Sequence, residues 1–68
     1  MRTFGRLREK IKLAFGTQKA LAEAMGMNQA TLNAKLNSKS DWTLPEIEKA
    51  CTLLNIPVTK ADEYFFYN

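Results

Sequence analysis

The side chains that most often carry covalent chemistry are scarce in this sequence. Its 68 residues include no histidine and one cysteine, Cys51. General acid–base catalysis draws first on histidine, and nucleophilic catalysis on a thiol or hydroxyl held beside a base. With no such pairing and no coupled carboxylates, an enzyme is not expected. A metal site would have to be built from carboxylates and one thiol, and a lone cysteine cannot form an internal disulfide. No cofactor, metal or small-molecule ligand is therefore expected.

Charge is the stronger signal. Met1 to Ser40 hold eight bases and two acids, a balance of +6, whereas Asp41 to Asn68 hold two bases and five acids, a balance of −3. A basic half suits a polyphosphate, because each neutralised phosphate releases condensed counterions whatever the nucleotide sequence. A charged face that is merely solvated is the alternative reading.

The elements that position these charges read as helices throughout, since no segment alternates apolar and polar residues as a half-buried strand would. The chain is long enough for one domain, 1–68, and 46% of it is apolar, as in ordinary globular proteins. No run approaches the roughly 18 apolar residues of a membrane span, and the basic N-terminus leads into no signal-type stretch. A soluble, cytoplasmic protein is expected.

Thr3 is a suitable N-cap for a first helix carrying Phe4, Leu7, Ile11 and Phe15 on one face, with Gly16 as its stop. Thr17 caps a second helix, Gln18 to Met25, with Leu21, Ala22 and Met25 inward and Gly26 at its end. Asn28 caps a third, running through Asn37, in which Leu32 and Leu36 form a buried i, i+4 pair and the other faces are strongly polar. Ser38 to Asp41 is a loop, and Trp42 seals the core edge. Thr43 and Glu46 have capping-box spacing with Pro45 in the first turn, which starts a fourth helix lined by Leu44, Ile47, Cys51 and Leu54. That stripe makes Cys51 a core residue. Asn55, Ile56 and Pro57 break the helix, and Thr59 to Asp62 repeats the cap-plus-acid pattern before a fifth helix that runs into Tyr64, Phe65, Phe66 and Tyr67.

Two short helices joined by about three residues with a glycine suit the steep crossing of a helix-turn-helix. Ala22 is small where the helices cross, Gly26 tolerates a positive φ, and Leu21, Met25, Met27, Leu32 and Leu36 form the wedge. The segment Gln18-Lys-Ala-Leu-Ala-Glu-Ala-Met-Gly-Met-Asn-Gln-Ala-Thr-Leu-Asn-Ala-Lys-Leu-Asn closely resembles the helix-turn-helix of lambda-type phage repressors and Cro proteins, the Xre-like family. The resemblance extends over Phe4 to Phe65, and the Glu-Tyr-Phe-Phe ending is similar to that of short phage and prophage proteins.

This resemblance implies a compact five-helix, lambda-repressor-like domain that binds double-stranded DNA and regulates transcription, with the third helix in the major groove. It implies base contacts from Gln29, Ala30, Asn33 and Thr31. Gln29 matches a family glutamine that pairs with adenine, and Ala30 suits a thymine methyl. Gln18 matches a family glutamine on phosphate, with Lys19, Asn28, Lys35, Asn37 and Lys39 as further phosphate contacts. Lys35 departs from the family, where this position is often apolar, and is expected to lean outward while Leu36 serves the core. Family members bind half-sites as twofold dimers, and Tyr64, Phe65, Phe66 and Tyr67 are the candidate interface; the other reading makes two of them core and two a frayed end. The rival from another class is an antitoxin-like or anti-repressor protein-interaction module.

Overall fold

The computed structural model describes residues 4–66. Its described residues contain helices and no strand: α1 Gly5–Phe15, α2 Gln18–Met25, α3 Gln29–Leu36, α4 Leu44–Leu54, a 3-10 turn Val58–Lys60 and α5 Ala61–Phe65. One core collects their apolar faces, with Leu7, Leu21, Leu32, Leu36, Leu54 and Phe65 almost wholly buried.

Side chains that compete with the backbone for hydrogen bonds start the middle helices. Thr17 Oγ1 accepts from the Ala20 N–H at 3.1 Å and Asn28 Oδ1 from the Thr31 N–H at 2.8 Å. At α4 the box is reciprocal: Thr43 Oγ1 accepts from the Glu46 N–H at 3.3 Å while the Thr43 N–H donates to Glu46 Oε1 at 2.9 Å. Each such cap satisfies a backbone donor that the helix itself leaves unpaired. Thr43→Ala is expected to cost about 1 kcal/mol of stability in thermal or denaturant unfolding.

The first helix begins differently from its sequence pattern. Thr3 lies outside the described residues, and α1 starts at Gly5 behind Phe4, which takes a left-handed conformation with φ 54° and no side-chain cap. That conformation is costly for a residue with a Cβ. It turns Phe4 out of the α1 stripe and into the core, 6.4 Å from the Trp42 ring; Trp42 in turn meets Phe65 edge-on at 5.0 Å. Aromatic pairing of this kind adds to the burial term and offsets the strain. Trp42 thus lies over the core edge as expected, with its Nε1–H buried and unpartnered among the described residues.

Two further expectations are corrected at the C-terminal end. Leu44 does not line the core: it is exposed, and α4 buries Ile47, Ala50, Cys51 and Leu54 instead. The first turn of α4 has a groove beside it, walled by Val58 and Phe66, rather than a packed helix. Thr59 does not cap α5. Pro57, at φ −59°, leads directly into the 3-10 turn, so Thr59 sits inside that turn and Lys60 occupies the N-cap position without a side-chain bond.

Candidate nucleic-acid interface

The α2–turn–α3 pair is shaped by a glycine and an alanine. Gly26 has φ +75°, and the chain closes α2 with the Gly26 N–H to the Glu23 carbonyl at 3.1 Å and the Met27 N–H to the Ala22 carbonyl at 3.0 Å. This is the paired 5→2 and 6→1 closure that requires a left-handed residue at the bend. Ala22 is buried on α2, which packs against α3. No heavy atom lies within 4 Å of a Cβ added at Gly26, so Gly26→Ala tests conformation alone. The variant is expected to lose about 1 kcal/mol, read as a melting-temperature drop of about 4–8 °C.

On α3, Leu32, Lys35 and Leu36 face inward. Gln29, Ala30, Thr31 and Asn33 are all exposed; Ala30 and Asn33 point away from the inner stripe, and Gln29 and Thr31 stand at its two margins in the first turn. Gln29 and Asn33 are four residues apart and project from the same side of the helix. The four sequence-predicted base-contact positions are therefore all accessible, spread around the first turns of α3. Asn28, at the N-cap, is exposed beside them, although its Oδ1 is engaged by the cap.

The expected phosphate contacts divide. Lys19 and Lys39 are exposed, and Gln18 is half-buried in the first turn of α2, where it lines a shallow hollow with Arg8, Lys12 and Thr17. Lys35 is a correction. It does not lean outward but is 5% exposed, with Nζ 2.9 Å from Glu46 Oε1 and donating to the Asp41 carbonyl at 2.8 Å. It lies between Leu32 and Leu36 on the inner stripe, and a carboxylate and a carbonyl meet its charge there; a buried ammonium requires such partners. Lys35 is thus unavailable to phosphate in this conformation, and it ties the end of α3 to the cap of α4. Burial pushes the Glu46 carboxyl up, but hydrogen bonds from the Thr43 backbone and Lys35, with the nearby Lys35 charge, outweigh it and hold the group below its ordinary range.

Sequence reasoning missed Arg8. From α1 its Nη2 donates to the Leu36 carbonyl and to Asn37 Oδ1, each at 2.8 Å. It caps the C-terminal end of α3, where a cation also meets the negative end of the helix dipole. The Asn37 side-chain oxygen is consequently occupied. No periodic signal marks this role, since the partner lies 28 residues away.

The predicted aromatic interface also breaks up. Phe65 is 2% exposed and belongs to the core, Tyr64 is half-buried, Phe66 is exposed, and Tyr67 lies outside the described residues. Cys51 is buried as expected, and burial raises its thiol pKa, the opposite of nucleophile activation. Among the described residues no group of three or more His, Cys, Asp or Glu side chains is placed to hold a metal, and no helix is long and apolar enough to cross a membrane.

A family model described as "Protein of unknown function (DUF739)" matches residues 2–68. The chain belongs to the DUF739 family. The match spans all five helices, so the α2–α3 pair and the C-terminal groove are parts of one DUF739 unit. None of the curated proteins matches this chain.

Proposed function

We propose that this chain is a sequence-specific double-stranded DNA-binding transcriptional regulator with a lambda-repressor-like fold, a Cro- or repressor-type phage or prophage protein acting as a homodimer in the bacterial cytoplasm. The observation that carries the reading is the exposure of Gln29, Ala30, Thr31 and Asn33 on α3, a helix whose orientation is fixed by its buried Leu32, Lys35 and Leu36. A helix with its side chains is about 10–12 Å across, close to the width of about 12 Å of the major groove. Carboxamides at positions 29 and 33 suit adenine edges, and the Ala30 and Thr31 methyl groups suit thymine. Lys19, Lys39 and the first turn of α2 flank this face in sequence with positive charge and backbone donors, the chemistry that holds phosphates and sets register without choosing bases. One such helix reads few base pairs, so a dimer would span half-sites about 34–36 Å apart.

Phosphate and base contacts separate in a salt titration. Lys39→Ala is expected to weaken binding equally on all duplexes and to lower the salt slope of log K by about 0.9. Fluorescence anisotropy from low to moderate salt reads both quantities. Binding with no salt dependence would refute a phosphate-directed surface.

A further inference from the structure

Four large apolar side chains are conspicuously exposed among the described residues: Leu13, Leu44, Val58 and Phe66. Three of them, Leu44, Val58 and Phe66, wall a single groove of about 370 Å³ between α4 and the segment from Val58 to Phe66, floored by the buried Ile47 and Cys51. The charged residues that line it are both acids, Glu48 from α4 and Asp62 from α5. We propose that this groove is a binding site for a small apolar organic cation, an alkyl- or arylalkyl-ammonium whose hydrocarbon body covers Ile47 and Cys51 while its charge lies between Glu48 and Asp62. The sequence-based expectation of no small-molecule ligand rested on missing catalytic and metal-binding side chains, which an apolar cation does not require.

Size and charge select this class of ligand. Ligand sites enclose about 300–1,000 Å³ and are mostly apolar, with a few polar groups that fix orientation. Specific protein–protein contacts engage about 20–30 residues a side, whereas nine residues line this groove. Burial of apolar surface supplies the affinity, and the sign of the charge at the rim chooses among apolar ligands. Of the five acids after residue 40, Glu46 is taken up by Lys35 and Glu63 by Arg6, whereas Glu48 and Asp62 form no ion pair among the described residues. Lys49 and Lys60 neighbour these acids in sequence but stand outside the lining. An anionic ligand would therefore meet two carboxylates and no compensating base. Thr59, also in the lining, offers a hydroxyl oxygen that can accept from an ammonium N–H. Both acids are exposed and screened by water, so the preference for a cation over its neutral analogue is about threefold to tenfold. None of the lining residues belongs to α3, and the site stands independently of the DNA-binding reading.

Titration of the isotope-labelled full chain with phenylbutylamine, followed by amide chemical shifts at neutral pH without DNA, tests this. The amine is protonated there, as a lysine side chain is. Shifts at Glu48, Val58 and Asp62, but not at Gln29 or Asn33, are expected to saturate in the millimolar range, as suits a ligand of about eleven non-hydrogen atoms. Phenylbutanol is expected to bind about threefold to tenfold more weakly, and phenylbutyrate more weakly still. Glu48→Gln combined with Asp62→Asn should abolish the preference for the amine and leave the alcohol's affinity as it was. Leu44→Ala combined with Val58→Ala should weaken amine and alcohol alike, while Leu13→Ala, comparably exposed but outside the groove, should bind as the wild type does. Melting temperatures of all three variants check that the fold is kept. No saturable shift up to about 10 mM amine, shifts centred elsewhere, phenylbutyrate binding as tightly as the amine, or a preference that survives in the double acid variant would each overturn the assignment. Groove amides that move with protein concentration before any amine is added would give the groove to a second copy and overturn it equally. DNA binding takes no part in the readout, so failure here is distinguishable from failure of that reading.

Discussion

Lys35→Met is expected to lower stability by about 2–3 kcal/mol, a melting-temperature fall on the order of 10–20 °C. Methionine keeps the hydrophobic stem between Leu32 and Leu36, so the loss reports the charge. The Asp41 carbonyl loses its donor and Glu46 keeps a carboxylate without its cation. Breaking a fully buried pair costs more, but the Glu46 side chain is 26% exposed and water relieves part of the penalty. The same pair sets a pH dependence. The Glu46 carboxyl titrates below its ordinary 4.5 in the folded chain, so the unfolded state binds the proton first as pH falls. The associated stability is fully present above about pH 5 and is lost as pH drops through the folded value. Glu46→Gln keeps an oxygen for the Thr43 N–H and should flatten that acid limb, measured by thermal melts between about pH 2 and pH 7.

Gln29→Ala is expected to leave folding unchanged while removing about 1–3 kcal/mol of discrimination at one base pair in each half-site. The side chain is exposed and takes no part in the α3 cap, so its truncation leaves the core and the Asn28 bond intact. Anisotropy titrations against the preferred duplex and against singly substituted duplexes separate this from the Lys39 effect. The glutamine variant should narrow the gap between right and wrong sequences, whereas the lysine variant should lower both affinities together.

The three middle helices were legible because short-range chemistry writes their ends. Thr17, Asn28 and Thr43 accept backbone N–H bonds three residues on, and Gly26 takes a positive φ at the stop of α2. The polar face of α3 was legible as the complement of Leu32 and Leu36. What periodicity did not supply were contacts between distant segments. Phe4 leaves its helical stripe and meets the ring of Trp42, which Phe65 contacts in turn. Lys35 continues the inward stripe at i, i+3, i+4, but its charge argued for solvent until Glu46 was brought alongside it by the fold. The spacing of Leu32, Lys35 and Leu36, set beside a capping-box glutamate after a short loop, is the signal that could have found it. Leu44 keeps helical register with the core yet is exposed at the edge of the groove beside α4. The Arg8 clasp on α3 depends wholly on how α1 crosses it.

Selection of bound duplexes from a random pool by the full chain tests the central claim most directly. A single enriched sequence with twofold-related halves about one helical turn apart, lost from the pool selected by Gln29→Ala, is the predicted result. Recovery of no sequence above the starting pool, at salt low enough for charge-driven binding to be seen, would contradict it.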